Sequence, residues 1–276
     1  MFFRTSSLLL LLFALCACHK EARVVRYAAI AHTRLCDGTP PDTPDPRLQT
    51  LDLPDFDMRW MVGDMACNSS NKSQTLFFLD SLFDLANTNT LWAIGNHDDD
   101  DTELLGEVTE RPTFYTYTRN GIVFLVLDTQ LDQCRIEGKQ LEMFHSVTDT
   151  IRESTHLVIL HHKLIWLPEH PDLESKISKL SNADICEAPY CLFKNNFYQD
   201  LYPVLEKLSK KGVEVICLAG DIGVRAKTFE WDFNPNFHLL ATGWSKISED
   251  DQFLIFEHNL DTDELVWHFE PLSLPR

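Results

Sequence analysis

Leu91-Trp92-Ala93-Ile94-Gly95-Asn96-His97-Asp98 is the stretch that decides how this chain is read. A short apolar run reads as a buried strand, the glycine lets the backbone turn sharply, and polar side chains follow where the strand ends. Three other stretches share the pattern. Arg59-Trp60-Met61-Val62 leads into Gly63-Asp64, Val158-Ile159-Leu160 into His161-His162, and Cys217-Leu218-Ala219 into Gly220-Asp221. In a layered α/β protein the C-terminal ends of the strands converge on one edge, where ligand sites form. Asp64, Asn96, His161 and Asp221 presented there make a mixed oxygen and nitrogen environment suited to Mn, Fe or Zn.

Outward from these motifs, further apolar runs at 24–31, 122–127 and 213–218 alternate with helix-periodic segments at 74–86, 140–153 and 197–211. Strands alternating with helices predict an α/β layered domain over residues 24–276. The runs at 237–242, 253–258 and 265–269 read instead as an antiparallel meander, with a turn at 261–264. A proline-stiffened loop at 39–46 follows the first strand, and residues 163–196 form a long insertion expected as a lid or rim beside the site. His162 reads as a packed neighbour rather than a ligand, and residues 99–101 as a solvated acidic loop.

The 276 residues carry 42 Asp and Glu against 24 Lys and Arg, a formal net charge of −18. That charge excludes nucleic-acid binding through a basic surface, because the field opposes a phosphate backbone. With 44% hydrophobic residues, the chain has enough apolar material for a large core. Residues 1–17 have one charge, Arg4, and an apolar run from Leu8 to Leu15 suited to an export signal rather than a membrane span. Leu15-Cys16-Ala17-Cys18 resembles the lipobox of bacterial lipoproteins. The resemblance implies lipidation at Cys18, a short tether over 18–23, attachment to membrane by the lipid anchor only, and the periplasmic face of the outer membrane. Export permits disulfides. Six further cysteines allow 15 pairings. Cys186 and Cys191 are close enough in sequence for a local staple, the loops of Cys36 and Cys67 each follow a strand, and Cys217 reads as a buried thiol.

Gly-Asp, Gly-Asn-His-Asp and the later apolar run ending in histidine resemble, in order and separation, the calcineurin-like metallophosphoesterase superfamily. Residues 114–129 (FYTYTRNGIVFLVLDT) followed by Gly138-Lys-Gln-Leu resemble its middle section. The resemblance implies a layered β-sandwich of two mixed sheets flanked by helices, and a phosphate-ester substrate. It also implies Asp64 as a bridging metal ligand, with Asn96, His161 and Asp221 around one ion. His97, oriented by Asp98, would face the leaving group as catalytic acid or stabiliser. Two motifs depart from the family. Its opening Asp-x-His is replaced by His32-Thr33-Arg34, and its closing Gly-His-x-His by Gly220-Asp221-Ile222-Gly223. His32 remains a candidate ligand, while Arg34, always charged, is expected in the first-metal position as a fixed cation for a phosphate oxygen. One ion per chain and a metal-dependent phosphoesterase follow. The alternative is a catalytically degenerate lipoprotein on the same scaffold, acting as a binding or assembly factor in the cell envelope.

Overall fold

The computed structural model describes residues 22–36, 44–68, 73–152, 154–182, 194–245 and 247–272. The expected export signal, Cys18, and the Cys186/Cys191 pair lie outside the described residues. So do most of the proline-stiffened loop and residues 183–193 of the 163–196 insertion. Among the described residues no helix is long and apolar enough to cross a membrane.

The first half of the chain runs through β1 (Val24–Ile30), β2 (Met58–Met61), α1 (Ser73–Phe83), β3 (Thr90–Trp92), α2 (Thr102–Thr109), β4 (Tyr115–Arg119) and β5 (Ile122–Val126). It continues through α3 (Gly138–Thr150), β6 (His156–His161), α4 (Ile177–Leu180), α5 (Tyr202–Ser209) and β7 (Glu214–Ala219). The last strands are β8 (Thr228–Asn234), β9 (Phe237–Thr242), β10 (Gln252–Asn259) and β11 (Glu264–Pro271). They form a five-stranded sheet, β11-β10-β1-β2-β3, and a six-stranded sheet, β4-β5-β6-β7-β9-β8. Both sheets are mixed: β1–β3 and β5, β6, β7 and β9 are parallel, and antiparallel strands lie outside them.

The two sheets pack face to face over Tyr27, Trp60, Phe124, Leu160, Leu218 and Phe256, all fully buried. The outer face of the first sheet is covered by α1 and α2 through Leu76, Leu79, Phe83 and Leu105. The outer face of the second is covered by α3 and α5 through Phe144 and Leu205. The central parallel strands are thus buried on both faces, which is why β5 and β6 read as continuous apolar runs.

Three elements differ from the sequence reading. The expected meander is not formed: β10 and β11 make an antiparallel hairpin on the first sheet, but β9 lies in the second, parallel to β7. Every position of β9 is buried, so it needs a covered interior place that a hairpin edge does not supply. The predicted 197–211 helix opens as a π-helical turn, Phe197–Leu201, before α5. Pro203 lacks the N–H a continuous helix would use there. Residue Asp101 of the expected acidic loop caps α2, its carboxylate accepting from the Leu104 N–H at 3.0 Å.

The described part of the insertion is anchored: Leu164, Trp166, Leu173 and Ile177 are buried, with Trp166 stacked on Phe229 at 5.1 Å. Its end reaches the loop after β7, where Asn182 Nδ2 donates to the Ile222 carbonyl at 2.9 Å.

A buried charge cluster ties the loops after β1 and β9. Arg47, fully buried, donates to Asp45 at 2.6 Å and Asp251 at 2.5 Å, and Lys227 Nζ lies 2.6 Å from Asp251. Removing one partner of such a cluster strands a buried charge, so Arg47→Ala should cost about 3–5 kcal/mol, measurable by denaturant unfolding.

At the opposite edge, Glu214 meets His156 Nε2 at 2.8 Å and His238 Nε2 at 3.5 Å. Burial pushes the Glu214 carboxyl up, but its bonds to His156 and His238 outweigh this and hold it at about 2, below the ordinary 4.5. A depressed acid stabilises the fold above its unfolded value and loses that contribution as pH falls through the folded one. Glu214→Gln should therefore flatten the loss of stability between about pH 4.5 and 2, read as urea midpoints against pH.

Candidate metal centre

The parallel strands of both sheets present their C-terminal ends on one edge. His32 and Arg34 follow β1, Asp64 follows β2, Asn96 to Asp98 follow β3, His161 ends β6, His162 follows it, and Asp221 follows β7. The loops interlock across the sheets: the Trp244 N–H, after β9, donates to the Ala31 carbonyl at 3.2 Å, and His162 Nδ1 donates to the Val62 carbonyl at 2.9 Å.

Asp64, 1% exposed and in the left-handed backbone region at φ 56°, is the hub. Its Oδ1 accepts from the His97 backbone N–H at 3.1 Å and lies 3.3 Å from His162 Nε2. Its Oδ2 accepts from Arg34 Nε at 2.9 Å and lies 3.7 Å from His32 Nε2. The two oxygens thus face two halves of the site. The first-metal half expected from the sequence contains His32 and Arg34, with a guanidinium on the carboxylate oxygen. Gly223, at φ 125°, supplies no donor, and a Cβ there would overlap the Trp244 carbonyl. A histidine in its place therefore cannot restore a ligand.

In the second half His162 Nε2 lies between Asp64 and Asp221, 3.9 Å from Asp221 Oδ1. His162, read from the sequence as a packed neighbour, is thus in direct contact with two expected ligands. Only the sheet-to-sheet packing reveals this, because adjacent histidines carry no signal of which ring turns inward. Asn96 lies in the turn between Gly95 and His97, partly buried.

Three imidazoles share one arrangement. His32 Nδ1 lies 2.7 Å from the Trp244 carbonyl, His161 Nδ1 2.7 Å from the Lys163 carbonyl, and His162 Nδ1 2.9 Å from the Val62 carbonyl. A carbonyl only accepts, so each Nδ1 carries the proton and each neutral ring has a bare lone pair at Nε2. All three Nε2 atoms are buried without a hydrogen bond. His32 and His162 have carboxylate oxygens, also electron-rich, within 3.7 and 3.3 Å of Nε2. Lone pair facing lone pair calls for a cation between them. A proton is a poor candidate at His32 and His161, because burial pushes both rings down to about 4. Carbonyl-anchored histidines with free Nε2 are the arrangement metal ligands adopt, so the chemistry of these donors suits a divalent ion; among the described residues, no three of these histidine and carboxylate donor atoms lie within 4.8 Å of one another. Burial also pushes Asp221 up to about 6, with Asp64 adding to it. Burial acts the same way on Asp64, yet His162 and His32 in their protonated forms, with Arg34, outweigh it and hold that carboxyl well below its ordinary value.

The orientation of His97 departs from the expected pairing. Its Nδ1 lies 2.9 Å from the Cys67 carbonyl, while the fully buried Asp98 carboxylate serves the backbone. It accepts from the N–H groups of Asp64 at 2.7 Å, Gly95 at 2.8 Å and Met65 at 3.2 Å. Asp98 therefore fixes the Asp64 loop against the Gly95 turn. Gly95 is required there, since a Cβ would overlap the Asp64 carboxylate. Cys67 forms a disulfide with Cys36, and Arg34 Nη1 donates to Cys36 Sγ at 2.9 Å.

No protein-family model and no curated protein matches the sequence. Solved structures do match in fold. A dimetal phosphatase from Danio rerio superposes with a TM-score of 0.52 at 11% identity, covering 90% of this chain and 96% of that one. The Plasmodium protein GAP50, the anchor in the inner membrane complex, gives 0.48 at 10% identity over 92% and 90%. The NAD nucleotidase of Haemophilus influenzae gives 0.41 at 11% identity over 91% of this chain and 57% of that one. The chain shares the fold of the dimetal phosphatase, two mixed sheets flanked by helices.

Asp98→Ala leaves three buried N–H groups without their acceptor and should cost about 3 kcal/mol or more; thermal unfolding of the variant measures this.

Proposed function

From the calcineurin-like metallophosphoesterase fold as premise, we propose that this chain is a metal-dependent phosphoesterase with one ion per chain, acting on a phosphomonoester or phosphodiester. The observation that carries the reading is the set of carbonyl-anchored imidazoles whose buried Nε2 lone pairs are without hydrogen bonds, two of them facing carboxylates. Asn96, His161, Asp64 and Asp221 would hold the ion, Mn, Fe or Zn, with His162 joining them. The ion would polarise a phosphate oxygen and acidify a bound water.

The side chains supply the rest. Arg34 keeps one edge on Asp64 and stays partly exposed, with 22% of its side chain open to solvent, so it can hold an incoming phosphate oxygen by a charge-assisted bond. His97, with Nδ1 donating to the Cys67 carbonyl, has Nε2 left to face the leaving oxygen, and in its imidazolium form would give it the Nε2 proton. Asp98 acts as a positioning residue through the loop. The site would lie outside the cytoplasm, on a chain carrying an export signal and a lipid anchor at Cys18; the Cys36–Cys67 disulfide suits such an oxidising compartment. A second reading, anion binding without turnover, draws on the Arg34–Asp64 ion pair, which occupies the carboxylate oxygen that a first metal would need.

The test is metal content by elemental mass spectrometry on the full chain purified without chelator, followed by turnover of chromogenic phosphomonoesters and phosphodiesters. One ion per chain is expected, lost in His161→Ala and Asn96→Ala. His97→Asn should retain the ion and lower kcat by about a hundredfold. Two ions would overturn the single-metal reading, and an ion-loaded chain without turnover would favour anion binding.

A further inference from the structure

Among the described residues, the one group of three or more His, Cys, Asp or Glu donor atoms lying within 4.8 Å of one another is Cys36, Cys67 and His97. It is not among the residues expected to bind the catalytic ion. In the structure the two sulfurs are bonded to each other, with the Cα atoms 5.1 Å apart. Two thiolates and an imidazole are a soft donor set, unlike the carboxylate, amide and imidazole groups around Asp64. Such sets select zinc or copper(I).

We infer that the reduced chain holds a thiophilic d10 cation through Cys36, Cys67 and His97, in the place the disulfide occupies in the oxidised chain. A second observation points the same way. Arg34 Nη1 donates to Cys36 Sγ at 2.9 Å, and a guanidinium beside a sulfur favours the thiolate that binds metal. The electron balance is complete with a dithiol as reductant. The disulfide takes two electrons and two protons, giving two thiols, and the dithiol becomes a disulfide. Binding of the cation then releases the two thiol protons. His97 and Arg34 both border this place and the Asp64 site. Occupation by a soft ion would draw the His97 ring toward the sulfurs, so the redox state of one cysteine pair decides which chemistry that imidazole serves. The soft site itself is independent of the phosphoesterase reading, since it uses neither Asn96 nor His161; only the competition for His97 rests on that reading.

The probe is Co2+, whose thiolate complexes show a sulfur-to-metal charge-transfer band that oxygen and nitrogen ligands lack. The full chain is reduced with a water-soluble phosphine, which is oxidised to its oxide with the oxygen of water. It is then desalted and titrated while circular dichroism follows the fold. The band is expected in the reduced chain and absent from the oxidised one. It should vanish in Cys36→Ser and in Cys67→Ser, persist in the Cys186→Ser/Cys191→Ser double variant, and require about tenfold more Co2+ in His97→Ala. His161→Ala should leave it unchanged, which separates this site from the catalytic ion. A folded reduced chain without the band overturns the inference. So does a band surviving in Cys36→Ser/Cys67→Ser, or loss of the fold on reduction.

Discussion

The arrangement on which the site depends is a buried carboxylate held against imidazoles whose protons are already committed. Asp64 cannot relieve the lone pairs of His32 and His162, because the backbone carbonyls of Trp244 and Val62 fix each ring with its proton on the far nitrogen. What the carboxylate has instead is Arg34 on one oxygen and a backbone N–H on the other. The asymmetry divides the site into a half with a guanidinium on the carboxylate and a half with an imidazole beside it.

That arrangement is maintained from a distance. Trp244, whose carbonyl orients His32, packs under the Arg47 guanidinium at 5.5 Å and donates its indole N–H to the Gln252 carbonyl at 3.0 Å. Arg47 in turn joins Asp45, after β1, to Asp251, before β10. The charge cluster thus packs against the residue whose carbonyl meets the His32 ring. Asp98 fixes the Asp64 loop through backbone groups alone.

Much of the fold was legible in the sequence because the central strands are buried on both faces, so their apolar runs stand out. The strands β4 and β8 were missed for the opposite reason. They are sheet edges with half their surface exposed, and Tyr115-Thr-Tyr-Thr-Arg119 and Thr228-Phe-Glu-Trp-Asp-Phe-Asn234 carry polar residues on one side. The placement of β9 was misread because apolar runs announce a strand without saying which sheet receives it. The short α2 was hidden by the acidic residues that precede and cap it.

The sequence by itself determined which residue types stand at the strand ends: Asp64, Asn96, His97, Asp98, His161 and Asp221 follow apolar runs, and local pattern is enough to find them. It also determined that Arg34 and Gly223 stand where ligands were expected. Only the tertiary structure decided which of those groups meet. His162 joins Asp64 and Asp221 because two sheets close on each other there. Asp98 turns to the backbone rather than to the His97 ring because the Asp64 loop crosses it. Cys36 finds Cys67 because β1 and β2 run side by side in parallel. Contacts of that kind depend on the distance between segments far apart in the chain, and a single sequence does not carry that distance.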